Sequence, residues 1–158
     1  MTDKTEIAKA GKSDNFELDL ATLDVTKFAS AGAEIAIKHP VTGKPIGMYI
    51  SIMGKDSEVY KELFRERTNE AIKKAVAAEA SGEQMQPPSY DEQQERELDL
   101  LAALTIGWRQ EDGKTSIKLA GEELPFTANN AKLIYRRFDF IRNQVDKSIA
   151  DVSLFIKS

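Results

Sequence analysis

A chain of 158 residues that is 41% hydrophobic and 30% charged is long enough for one buried core, too apolar for a wholly disordered polymer and too polar for a membrane protein. Having no cysteine, it can form no disulfide framework and offers no thiolate ligand or nucleophile, so a reducing cytosol suits it. The net charge of -4 is uneven: residues 127–158 hold six basic and three acidic side chains, leaving about -7 on the rest, and six bases spread along helices fall short of a nucleic-acid-binding stripe.

Residues 1–15 are polar, without apolar period, and read as a flexible arm. Their mixed charge stands where a secretory signal needs an apolar core, and no later stretch approaches the roughly 18 apolar residues of a membrane span, so neither export nor insertion is expected. Phe16, Leu18 and Leu20 alternate with Glu17 and Asp19, which predicts a short strand. A stronger period of two follows. Ile35 and Ile37, then Ile46, Met48, Ile50 and Ile52, alternate with smaller or polar residues around His39-Pro-Val-Thr-Gly-Lys-Pro45. Two prolines without ladder donors and a glycine make that linker a turn, so the two strands should pair as a hairpin. Its isoleucine face needs a cover, because a lone hairpin is marginal in water.

Asp56 or Ser57 can cap a long helix in which Val59, Tyr60, Leu63, Phe64, Ala71, Ile72, Ala75 and Val76 recur at helical spacing, and this stripe is expected to cover the hairpin. Residues 80–90, with Gly82 and Pro87-Pro88, break the pattern as a flexible connection. Ser89 and Glu92 then form a capping-box pattern for a helix carrying Leu98, Leu101, Ala102 and Thr105, expected to stop near Gly107. Asp112-Gly113 predicts a tight turn, within a small second hairpin or an ordered loop. Thr127 can cap a helix with Ala131, Ile134, Tyr135 and Phe138, and Asp139 another with Ile141, Val145, Ile149, Val152 and Ile156. The expected class is α+β, mainly α: an N-terminal β-hairpin on a long helix over 16–79, then a helical part over 91–158 sharing one continuous core with it.

The chain offers little for catalysis. Gly54-Lys55 lacks the upstream glycine and the following Ser or Thr of a phosphate-binding loop, since Asp56 follows the lysine. His39 is the sole histidine, which leaves no zinc-type cluster and no triad with spare parts. Glu111-Asp112 and Glu122-Glu123 lack the ligand spacing of a calcium site and read as solvated surface. No enzyme activity, cofactor or metal is expected, which leaves protein binding as the reading. The C-terminal helix pair carries the basic excess together with aromatic rings lying off its inward stripe. Arg136, Arg137, Phe140, Arg142 and Phe155 are therefore the candidate partner-binding residues, an aromatic and arginine set of the kind enriched at interfaces. The alternative is that both rings pack on the body.

Two stretches carry a resemblance. One is Glu34-Ile-Ala-Ile-Lys-His-Pro-Val-Thr-Gly-Lys-Pro-Ile-Gly47 followed by Gly54-Lys-Asp-Ser57; the other runs from Gly107-Trp108 through Leu124-Pro-Phe-Thr-Ala-Asn-Asn-Ala131 to Phe140-Ile-Arg-Asn-Gln-Val145. Together they resemble the tail assembly chaperones of long-tailed, siphovirus-like bacteriophages, over most of residues 16–156. The resemblance implies a helical protein of the bacterial host cytoplasm that binds the phage tape measure protein and keeps its apolar helices soluble while the tail is built. It also brings in the tail tube protein and further copies of the chain as partners. The matched motifs are turns, caps and helix anchors, so a structural tail component (tube, connector or completion protein) is the rival reading.

Overall fold

The computed structural model describes residues 17–156. The arm expected over 1–15 lies outside them, as does Phe16. The predicted strand around Leu18 and Leu20 does not form. Instead the Asp19 carboxylate accepts from the Ala21 amide at 3.0 Å and Leu20–Leu23 closes a 3₁₀ turn, because this local bond offers the backbone a partner that no neighbouring strand supplies. Asp24 then caps helix α1, Val25–Ala31, by accepting from the Lys27 amide at 3.1 Å. Helix α1 ends at Gly32, where a side chain has no room: a Cβ there would lie 2.5 Å from Ile106 Cδ1 and 2.8 Å from the Ile52 carbonyl oxygen.

The predicted hairpin is present as β1, Ala33–Lys38, antiparallel to β2, Pro45–Ile52, with Ile35 opposite Ile50. His39 is the turn residue: its amide donates to the Lys44 carbonyl at 2.8 Å, and its Nδ1 accepts from the Val41 and Thr42 amides at 3.1 and 3.3 Å. The sheet has a third strand, whose Trp108 end was expected only as an arm of a small hairpin around Asp112-Gly113. β3, Thr105–Gln110, runs antiparallel along the other edge of β2 and sets Trp108 opposite Ile50. The helix expected to reach Gly107 therefore stops at Leu104. Two β-branched residues, Thr105 and Ile106, meet an open strand edge there, and the pairing puts Trp108 inside at 4% exposure.

Helix α2, Glu58–Ser81, starts at the buried cap Ser57, whose Oγ accepts from the Tyr60 amide at 3.2 Å. Its expected role is overturned. None of its residues is buried, and Phe64, Ile72 and Val76 are 64%, 56% and 61% exposed, so its stripe does not cover the hairpin. The exposed segment 83–89 leads to helix α3, Tyr90–Leu104, capped by Ser89 through the Glu92 amide at 3.2 Å. Asp112-Gly113 does turn the chain, with the Gln110 amide donating to Lys114 at 2.7 Å, but the second hairpin lies one turn further on. It pairs β4, Ser116–Leu119, with β5, Glu122–Pro125, around Ala120-Gly121, both at positive φ (52° and 84°), the conformation of the tightest hairpin turns.

Thr127 caps helix α4, Ala128–Arg137, accepting from the Asn130 amide at 3.0 Å. Asp139 is the first residue of α5, Asp139–Ile149, and not its cap. The single helix expected over 139–156 is broken: the Ile149 carbonyl accepts from the Lys55 amide at 3.1 Å, and Asp151 caps a separate turn of helix, α6, Val152–Phe155. Helix α5 packs on β1 and β2, and α3 packs on α4 and β3, so these helices take the place expected of α2. One core runs from Ala29 through Ile37, Ile50, Leu101 and Tyr135 to Val145 and Phe155, joining both sides of residues 80–90. The class is α+β, mainly α, since helix makes up 54% of the described residues against 20% strand. Among the described residues no helix is long and apolar enough to cross a membrane.

Candidate protein-binding surface

Helix α4 buries Ala131, Ile134 and Tyr135, three positions on one face, and α5 buries Ile141, Val145 and Ile149 in the same manner. The Tyr135 hydroxyl donates to Thr105 Oγ1 at 2.7 Å, while that threonine donates to the Leu101 carbonyl at 2.7 Å. Burial pushes the Tyr135 phenol up to about 12, partly opposed by the Thr105 bond. This interior bond fixes the helix pair against the start of β3, and the outer faces of α4 and α5 take their positions from it.

The five predicted residues do not form one patch. Phe155 is 2% exposed and lies against Gly54 and Ala29, so the alternative that its ring packs on the body is the observed one and its place among the partner-binding residues is corrected. Arg136 is spoken for: with Lys132 it holds Glu95 of α3, the arginine contact being 2.8 Å, and Lys132 also reaches Asp99 at 2.6 Å. These contacts hold the Glu95 carboxyl below its usual range, Lys132 first and Arg136 second. Arg142 keeps only 19% of its side chain exposed and bonds Asp139 at 3.2 Å one turn back. Arg137 and Phe140 are linked only through Phe138, which lies between them. The Arg137 guanidinium sits 5.7 Å from the centre of the Phe138 ring, which meets Phe140 edge-on at 6.2 Å.

Beside these rings runs an open groove of about 320 Å³, walled by Phe138 and Phe140 on one side and by Ile46, Ile117 and Leu119 on the other. Residues from β2 and β4 had no place in the sequence-level site, since only the fold shows that the second hairpin stands beside α5. The available signal was the alternation of Ile117 and Leu119 with Ser116 and Lys118 ahead of Ala120-Gly121. Ile46 is 43% exposed and Phe140 half-buried, so the groove presents apolar surface outward.

The outer face of the sheet is polar. Arg109 bonds both carboxylate oxygens of Glu34, at 2.7 and 2.8 Å, and stacks 4.2 Å over the Tyr49 ring, while the Tyr49 hydroxyl donates to Glu111 at 2.6 Å. Among the described residues no group of three His, Cys, Asp or Glu is arranged to hold a metal ion. Comparison with family models, with curated proteins and with solved structures returns no match for this chain.

Proposed function

We propose that the protein is a tail assembly chaperone of a long-tailed bacteriophage, which works in the host cytoplasm by holding apolar helices of the tape measure protein in solution and catalyses no reaction of its own. The observation that carries this reading is the open groove between the two hairpins and α5, with Ile46 exposed, Phe140 half-buried in its wall, Lys118 in its lining and Arg137 against the Phe138 ring. A groove with apolar walls takes the anchors that an amphipathic helix presents at i, i+3 and i+4, and a rim of cations favours a partner helix with acidic residues beside its apolar face. The resemblance described above supplies the identity of that partner.

The test is co-expression with the tape measure protein. Phe140→Ala and Arg137→Glu should fold, as judged by circular dichroism, and should each lower the yield of co-purified tape measure protein. Retention of the partner at wild-type yield by both folded variants would remove the groove as the site. Mass spectrometry of purified particles separates this reading from the structural one: a chaperone is absent from finished virions, and a tail component is present in stoichiometric amounts.

A further inference from the structure

Helix α2 has the form of an element missing its cover. It is 24 residues long without a single buried residue, whereas helices in water owe most of their stability to the packing of an apolar face. Its body side is met at few points: Tyr60 and Leu63 are half-buried, and Arg67 donates to the Arg96 carbonyl at 2.8 Å. Turned away from the body lies a second stripe at i, i+4 spacing, Phe64, Thr68, Ile72 and Val76, with the small residues Ala71 and Ala75 beside it. A ridge of this kind flanked by alanines lets another helix come close.

The charges on this outward face say which helix fits. Arg65 stands on its N-terminal half, held within its own helix by an ion pair with Glu62 one turn back, and Glu79 stands on its C-terminal half, whereas Lys61 is turned to the body and donates to Thr26 Oγ1 at 2.7 Å. A second copy of the same helix laid antiparallel, with the two-fold axis at Ile72, sets Arg65 against the partner copy's Glu79, twice by symmetry. A parallel pairing would set Arg65 against Arg65. Thr68 then faces Val76, and the Phe64 ring falls near Ala80, a large residue over a small one. We infer that α2 is the interface of an antiparallel homodimer, in which the Phe64–Val76 stripes of two copies of the chain cover one another. This pairing uses α2 alone and does not depend on the groove or on the identity of its ligand.

The absence of cysteine makes the geometry directly testable. An Ile72→Cys variant places two thiols at the two-fold axis, within the roughly 7 Å between Cα atoms that a disulfide tolerates. A Phe64→Cys variant places them 16 residues apart along the antiparallel pair, about 24 Å, out of reach. Under mild oxidation the full chain carrying Ile72→Cys should run as a covalent dimer, and the one carrying Phe64→Cys should stay monomeric. In sedimentation equilibrium the cysteine-free chain should dimerise, Arg65→Glu should weaken the dimer about tenfold, and Arg65→Glu with Glu79→Arg should restore it to within about twofold. A monomer at all concentrations, equal cross-linking of both cysteine variants, or a charge swap that fails to rescue a folded protein overturns the inference.

Discussion

Gly54 lies where β2 gives way to α2, and nothing in its backbone angles demands glycine. What demands it is Phe155: a Cβ on Gly54 would stand 2.8 and 3.0 Å from two carbons of that ring and 3.1 Å from the Ala29 Cβ. The residues cannot easily part, because the Gly54 amide donates to the Ala29 carbonyl at 3.1 Å and Phe155 is 2% exposed. Gly54→Ala is therefore an overpacking change, costing about 1–3 kcal/mol, set against a gain of about 0.4–1 kcal/mol from restricting the unfolded chain. The net expectation is a loss of about 1–2 kcal/mol, or about 2–8 °C in Tm for a chain of this size. Urea titration of the wild type, Gly54→Ala, Phe155→Leu and the double variant forms a cycle. In the Phe155→Leu background, where the ring edge is gone, the same alanine should cost less than half as much. An alanine that is neutral, or equally costly in both backgrounds, would show that Phe155 does not press on Gly54 and would reopen its candidacy as an exposed anchor.

Two further outcomes follow from the interior and from the connection. Because burial raises the Tyr135 phenol to about 12 in the folded chain, the neutral ring contributes stability that is fully present below the unfolded value near 10 and is lost as pH rises through the folded one; the wild type should lose about 2–3 kcal/mol more than Tyr135→Phe between pH 9 and 12, read by urea titration, and parallel losses would refute the burial argument. Residues 83–89 are all exposed and form no helix or strand, so among the described residues limited proteolysis should cut there first, and a first cut inside α3 or α5 would contradict the placement of the core.

Local chemistry was legible in the sequence wherever one residue settles one bond. Ser57, Ser89 and Thr127 cap the helices predicted for them, each by accepting from the amide three residues on. The hairpin turn was readable for the same reason, as His39 and Gly43 act on their immediate neighbours. What failed was phase. Thr105 continues the helical spacing of Leu98 and Leu101, and Val152 and Ile156 continue that of Val145 and Ile149, so periodicity carried both helices past their ends. Those ends are set by distant partners: the open edge of β2 for Thr105, and the Lys55 amide on the Ile149 carbonyl for the last helix. In the candidate site, Arg137 was readable as exposed, while Phe140 packs half-buried against the core and Phe155 was not readable as buried, since its neighbour Gly54 lies 101 positions away.

The misassignment of α2 has a physical cause that also explains the surfaces the molecule presents. An amphipathic stripe states that a helix has an apolar face, and the competition for a given partner is decided by contacts the stripe does not encode. For the isoleucine face of the sheet the competitor is α5, and it has an advantage that α2 lacks. Gln144 bonds the free edge of β1 twice, its Oε1 accepting from the Lys38 amide and its Nε2 donating to the Lys38 carbonyl, both at 2.8 Å. That pair satisfies an exposed strand edge and sets α5 in register with the sheet, so Val145 falls at zero exposure behind it. With the sheet taken, α2 has the flank of α3, where Arg67 donates to the Arg96 carbonyl, and the side of α1, where the Glu58 amide and the Lys61 ammonium donate to Ser30 and Thr26, and its Phe64–Val76 side is left facing out. The same event that closes the core thus creates the apolar face on which a second copy of the chain is placed.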